Sequence, residues 1–224
     1  MLNNFPFEAI KFLSKLKRNN NKEWFESHRE ELNNSLLEPA QEFVVVLGEL
    51  LRTIAPGIIA IPKTDKSIFR LHRDVRFSKD KSPYKTNLGI LFWEGERKKM
   101  ECSGFYFHAE PDYLFLGSGQ YMFTNDLLKK YREVVYNPDK AKELDSLVRK
   151  LKKKGYRLGG KTYKRVPRGF DVEYPFSDYL LHNGIYAYEE IKDLKKLRKE
   201  DMVQFSLRKF REILPLHQWL VKNI

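Results

Sequence analysis

The chain has 224 residues, 42% of them hydrophobic and 32% charged, with 42 Lys and Arg against 30 Asp and Glu, a formal net charge of +12 and a pI of about 9.5. This composition excludes a disordered chain and suffices for a sizeable core; the positive surplus favours anionic partners such as nucleic acid, nucleotides, acidic proteins or an anionic surface. The single cysteine, Cys102, excludes an intramolecular disulfide and a cysteine-based zinc site, and the longest aliphatic run, Phe43 to Leu47, is too short to span a membrane.

The opening residues, Met1 to Pro6, show no basic stretch leading into an apolar run, so no secretory leader is expected and the expected location is the cytoplasm. Ala9, Phe12, Leu13 and Leu16 then keep the spacing of one buried helical stripe. The run Asn19-Asn20-Asn21 ends that helix, and Asn20 with Glu23 predicts a capping box for the next. Trp24, His28 and Leu32 form the second stripe, and Pro39 is placed to open a third helix through Ala40, Phe43, Val44, Leu47, Leu51 and Ile54, stopped by Pro56-Gly57.

The centre reads as β-structure. Phe69, Leu71, Val75 and Phe77 alternate with Arg70, His72, Asp74 and Arg76, which predicts a strand interrupted by Arg73 on its apolar side. Leu88, Ile90 and Phe92 alternate next, Glu94-Gly95-Glu96 reads as a turn, and Gly104 to His108 and Tyr113 to Leu116 read as strands joined at Pro111-Asp112. Four short strands with tight turns predict an antiparallel meander.

Helices return after Thr124, through Leu127, Leu128, Tyr131, Val134 and Val135, and again from Pro138, with Ala141, Leu144, Leu147, Val148 and Leu151 inward and a basic outer face from Arg149 to Lys154. Tyr156 to Val166 is predicted extended and Ile185 to Tyr188 a short strand. The last helix carries Val203, Leu207, Phe210 and Leu214, with Pro215 expected to kink or restart it. Without a linker, a repeat or a low-complexity stretch, residues 1–224 are expected to form one α+β domain, a central antiparallel sheet flanked by N-terminal, middle and C-terminal helices.

The stretch from Phe69 to Lys85 concentrates the chemistry. Arginine presents a planar fork suited to phosphate or carboxylate, so Arg70 and Arg76 can clamp one anion, with Asp74 orienting them. The other reading of the same face is an ion-pair ladder. Arg73 needs either an acidic partner or a place at a cleft edge. Lys79, Lys81 and Lys85, with Ser78, Ser82 and the backbone, can close over a phosphate; the loop lacks P-loop glycines, so that class of nucleotide site is excluded. His72 and Asp74 with His108 are conceivable metal ligands, but Arg70 and Arg76 would repel a cation, and no metal site or cofactor is expected. There is no Gly-x-Ser-x-Gly elbow, and a Cys/His pair is open only through Cys102 and His108. Lys161 to Gly169 is a second basic stretch with an interleaved tyrosine, suited to a nucleic-acid backbone or to a charged surface hairpin.

These residues also carry a resemblance. Glu23-Trp24-Phe25 after the Asn-rich turn, the string Phe69-Arg70-x-x-Arg73-Asp74-x-Arg76-Phe77-Ser78-Lys79-Asp80-Lys81-x-Pro83-Tyr84-Lys85, Gly104-Phe105-Tyr106-Phe107-His108, and Pro167-x-Gly169-Phe170-Asp171 with Tyr174-Pro175 resemble a widespread, mainly bacterial family of uncharacterised proteins, domain of unknown function number 2461. The resemblance runs over nearly the whole chain and brings no settled activity. It implies that Arg70, Arg73, Asp74, Arg76, Lys79, Asp80, Lys81, Pro83, Tyr84 and Lys85 belong to a signature. It also implies an aromatic residue, usually tyrosine, where this chain has His72, which argues against an acid–base role there and makes Asp74, Asp80 and Tyr84 the better catalytic candidates.

The leading expectation is a protein that binds a phosphate-bearing ligand, nucleic acid or a phosphorylated small molecule such as a nucleotide, through Arg70, Arg73, Arg76, Lys79, Lys81 and Lys85. A membrane partner is not expected. The alternatives are an enzyme of phosphoryl or glycosyl-phosphate chemistry at the same place, and a structural or interaction module in which the motif is an ion-pair-locked core element.

Overall fold

The structure, a computed structural model, describes residues 4–224; Met1 to Asn3, part of the stretch read for a leader, lie outside the described residues. In chain order the elements are α1 (Phe7–Arg18), α2 (Lys22–Ser27), α3 (Arg29–Leu32), α4 (Glu38–Arg52), β1 (Ile58–Ile59), β2 (Leu88–Glu94), β3 (Ser103–Glu110), β4 (Tyr113–Gln120), α5 (Asn125–Tyr136), α6 (Pro138–Lys153), β5 (Arg157–Lys161), β6 (His182–Ile191) and α7 (Met202–Asn223). The strands form one sheet in the order β1-β2-β3-β4-β6-β5, with every neighbouring pair antiparallel. The fold class is α+β, as the sequence predicts.

Strand register assigns the two faces. Phe105 pairs with Phe92 and Ser118, Phe107 with Ile90 and Leu116, and Ser118 with Ala187, so these side chains share one face. That face is buried against α1, α4 and the first half of α7: Phe43 meets Phe107 at 4.9 Å and Phe210 meets Phe105 at 5.1 Å between ring centroids. A second cluster joins α5, α6 and the second half of α7 to Ile185 and Ala187 of β6. Helix α7 enters both clusters, Phe205, Leu207 and Phe210 in the first and Ile213, Leu216 and Trp219 in the second. His217, fully buried, pins it to the sheet, with Nδ1 2.9 Å from Ser103 Oγ and Nε2 2.7 Å from Glu94 Oε2. A carboxylate only accepts, so Nε2 donates to Glu94 and Nδ1 accepts from the serine.

Several predicted boundaries shift. The α2 cap is Asn21, whose side chain accepts from Trp24 N at 2.9 Å, and not Asn20. The second stripe breaks at His28, whose ring stacks on Trp24 at 4.0 Å. Pro39 lies in the first turn of α4, as predicted, but the chain enters it from α3 without a break, through a π-helical turn, Asn33–Leu37. A proline there lacks an N–H and crowds the carbonyl four residues back, and a widened turn relieves both. Pro215 does not break α7 either; it is exposed, as is Arg211, whose carbonyl loses its partner where water can supply one. Only Arg157–Lys161 of the stretch predicted extended after Tyr156 is strand, and β6 is longer than predicted.

The largest correction concerns Phe69 to Phe77, which is not a strand, so the meander consists of β2, β3 and β4 with β6 added beside β4. The segment leaves the sheet as one limb of an irregular arm. Phe69 N bonds Gly89 O at 2.9 Å, Lys85 N bonds Leu71 O at 2.7 Å and Arg73 N bonds Pro83 O at 2.9 Å. Pairing ends there, because Pro83 offers no donor in return and Arg73 occupies the inward side. The alternation of burial survives as far as Val75, and fails at Phe77, which is 95% exposed.

Candidate binding trough and basic arm

The root of the arm is packed and its tip is polar. The Tyr84 ring stacks on Phe25 of α2 at 3.8 Å, nearly parallel at 11°, and His72 lies 4.9 Å from Tyr84. Asn20 bonds both backbone groups of Tyr84. At the tip, Asp80 accepts from Ser82 N at 2.9 Å, from Ser82 Oγ at 2.6 Å and from Arg73. These bonds, the serine's foremost, hold its carboxyl down at about 2. Asp74 accepts from Arg76 Nε at 2.9 Å and Nη2 at 2.7 Å, a bidentate pair that lowers its pKa. Lys81 donates to Val75 O at 3.0 Å.

Three of the six cations are therefore committed within the arm: Arg73 to Asp80, Arg76 to Asp74, and Lys81 to a carbonyl. Arg70 and Lys79 are exposed, and neither they nor the half-buried Lys85 ammonium has a hydrogen-bonding partner among the described residues. Arg73 reaches an acidic residue of its own loop rather than of a helix. Among the catalytic candidates, Asp74 and Asp80 are paired and Tyr84 is buried against Phe25 with its pKa raised by burial. The basic face from Arg149 to Lys154 is exposed on α6, which packs on β5, at the sheet edge opposite β2 and the arm.

The other face of the sheet holds a feature that the motif does not announce. Register places Tyr106, His108, Phe115, Gly117, Gly119, Tyr186 and Tyr188 together there. All but Tyr188, which stacks behind Phe115, enclose an open trough of about 480 Å³, with Phe69, Lys85 and Lys99 at one end. That is the size of a small-molecule site. Ring contacts run along it: Phe69 to Tyr106 and Tyr106 to Phe115, each 6.0 Å and edge-on, Phe115 stacked on Tyr188 at 4.8 Å, Tyr188 to Tyr186 at 5.7 Å, and Tyr186 to Tyr121 at 5.6 Å. Two glycines let the rings lie low. A Cβ at Gly89 would stand 2.6 Å from the Tyr106 hydroxyl, and one at Gly159 would collide with the Tyr186 ring.

Charge is distributed unevenly along the trough. At the arm end, Lys99 Nζ lies 4.3 Å and Lys85 Nζ 6.0 Å from the Phe69 ring centre. Lys99 donates to the carbonyls of Asp65 and Lys66 at 3.0 and 2.5 Å. Burial depresses both pKa values, and the neighbouring Arg70 and Arg73 depress that of Lys85 further. A bound anion would reverse that penalty.

Further along the trough, His108 Nδ1 is 3.2 Å from the Tyr106 hydroxyl and 3.5 Å from Asn87 Nδ2. Its Nε2 is buried without a hydrogen bond, 3.7 Å from Glu110. Burial holds the imidazole below its ordinary pKa against the pull of Glu110, and Glu110 raises Tyr113 to about 12. Cys102 lines the same trough, its thiol pushed up by burial. No group of three or more His, Cys, Asp and Glu is placed to hold a metal among the described residues.

The model of a family of conserved hypothetical proteins, DUF2461, matches residues 8–219. The chain belongs to this family. The DUF2461 match spans α1 to α7 and so takes in both the arm and the trough. No curated protein and no solved structure matches the chain. No helix among the described residues of this DUF2461 protein is long and apolar enough to cross a membrane.

Proposed function

We propose that the protein binds a nucleotide-like ligand, a phosphate group carried on a planar ring, in the trough. The observation that carries this reading is the pair Lys85 and Lys99, two partly buried ammonium groups with depressed pKa values at the head of a line of aromatic rings. The phosphate would take the head, with Arg70 beside Lys85, and the ring would lie on Tyr106 and Phe115. Asn87 is the amide nearest this platform, held by His108, and can meet a base edge. Of the six cations in the signature, Lys85 joins the arm to the trough. The sharing of α7 between both hydrophobic clusters supports reading the chain as one α+β domain.

Chemistry on that ligand is a second reading, and one observation favours it: the Tyr106 hydroxyl, His108 and Glu110 follow one another along β3 on the trough side. A proton taken from a ligand through Tyr106 could pass to His108, with Glu110 stabilising the imidazolium. Tyr106 and His108 line the trough, whereas Asp74 and Asp80 do not.

Isothermal titration with ADP, adenosine and inorganic phosphate tests the binding reading. ADP should bind more tightly than either fragment, and Lys85→Ala should weaken ADP while leaving adenosine nearly unaffected. Equal affinity for ADP in the wild type and Lys85→Ala would contradict the assignment of the phosphate.

A further inference from the structure

We infer that the ligand is a single strand of nucleic acid and that the arm is its second point of contact, with Phe77 stacking on an unpaired base. The inference rests on the nucleotide reading for the trough, and on separate residues for the arm.

Phe77 is 95% exposed, the most exposed large hydrophobic side chain among the described residues. It stands at the tip of a segment, residues 70–85, that carries six Lys and Arg against two Asp. The Arg76 guanidinium lies 5.8 Å from the Phe77 ring centre and is itself held by both oxygens of Asp74. The Asp74–Arg76 pair thus backs the ring and leaves it open to solvent. Both acidic side chains of the tip are neutralised inside the arm, Asp74 by Arg76 and Asp80 by Arg73, so the field that an approaching strand meets is that of Arg70, Lys79 and Lys81. A lone aromatic ring among cations is the arrangement by which proteins hold unpaired bases without reading their sequence.

A duplex hides its bases, so neither Phe77 nor the trough could stack on one. A membrane fits less well: a single phenyl ring offers little apolar area to bury at the acyl boundary, where membrane-surface segments present a whole apolar face. Phe77 lies at most about 29 Å along an extended limb from Phe69 at the trough head. Twelve nucleotides at roughly 3.4 Å each cover that span. One strand can therefore place a terminal nucleotide in the trough and a later base on Phe77.

The test measures fluorescence anisotropy with labelled U12 and dT12, with a 12-base-pair duplex and anionic phosphatidylserine vesicles alongside, and UMP followed separately by tyrosine emission. The variants are Phe77→Ala, Phe77→Trp and Lys85→Ala. The wild type should bind U12 or dT12 more tightly than UMP and more tightly than duplex. Phe77→Ala should bind the single strand about 10- to 100-fold more weakly with UMP unchanged, and Phe77→Trp should retain it. Single strands bound no better than UMP, a Phe77→Ala variant with wild-type affinity for them, or Phe77-dependent binding of vesicles without single strands would each overturn the inference. If UMP fails to bind while single strands bind in a Phe77-dependent way, the arm contact stands and the trough assignment falls.

Discussion

Asn20 hydrogen-bonds both backbone groups of Tyr84, its Nδ2 donating to the carbonyl at 2.9 Å and its Oδ1 accepting from the amide at 3.1 Å. A side chain on the turn between α1 and α2 thus stands in for a neighbouring strand and fixes the root of the arm. Below it, the stacked Phe25 and Tyr84 rings complete the anchor. Lys85 follows Tyr84 directly, so the same contact sets where the trough's ammonium lies.

Removing that contact should loosen the arm. Asn20→Ala leaves both backbone groups of Tyr84 without their partner, at a cost of about 1–3 kcal/mol. Thermal unfolding should show the loss, and limited proteolysis should cut between residues 72 and 84 sooner than in the wild type. An unchanged melting temperature with unchanged cleavage would refute the anchoring role.

The arm's exposed pair should behave differently. Asp74 and Arg76 form an exposed ion pair, so Arg76→Ala should leave the melting temperature near that of the wild type. Binding of a single strand should fall, because the variant loses a cation and the support of Phe77. A large drop in stability would instead favour the motif as a locked structural element.

Stability should decline on acidification. His108, His182 and His217 are each held below the ordinary histidine value of 6.5, chiefly by burial. Glu110 opposes the shift at His108, Asp178 at His182 and Glu94 at His217. The folded protein then binds fewer protons than the unfolded chain below about pH 6.5, so the unfolding free energy falls as pH falls from there. Denaturant unfolding at several pH values checks the sign, and His217→Gln should flatten the slope. Rising stability between pH 6.5 and 5 would contradict it.

The glycine that seats the Tyr186 ring should not accept a side chain. Gly159→Val must displace the Tyr186 ring, and so should weaken ADP binding and lower stability by about 1–3 kcal/mol. Titration and melting of this one variant measure both effects. Wild-type values for both would show that the ring moves freely and that the trough is not preformed.

Much of the helical scaffold was legible because burial decides it. The stripe of Ala9, Phe12, Leu13 and Leu16, and that of Ala141, Leu144, Val148 and Leu151, match buried faces of α1 and α6. Pro111-Asp112 between two alternating runs marked the β3–β4 turn. The arm misled because Arg70 to Arg76 alternates like a strand, and only Pro83 on the opposing limb and Arg73 on the inward side tell against pairing. Asn20 looked like a cap because an Asx residue before Glu serves that role locally; its partner, Tyr84, is 64 residues away.

The trough was concealed for a related reason. Along β3, aromatic rings occupy both faces, and hydrophobicity alone does not say which is covered. A usable signal was present: Phe105 and Phe107 are purely apolar, whereas Tyr106 and His108, which alternate with them, carry polar atoms, and Tyr106 stands opposite Gly117. Polar-tipped rings beside a glycine mark the face that forms the open trough.

The location of the ligand is the central claim, and NMR of the tyrosine ring resonances during titration with ADP tests it most directly. Tyr106, Tyr121 and Tyr186 should shift together, while Tyr131, buried in the cluster behind the sheet, should stay fixed. Shifts confined to Tyr84 and the arm, or no shift in the trough at saturating ADP, would contradict the account.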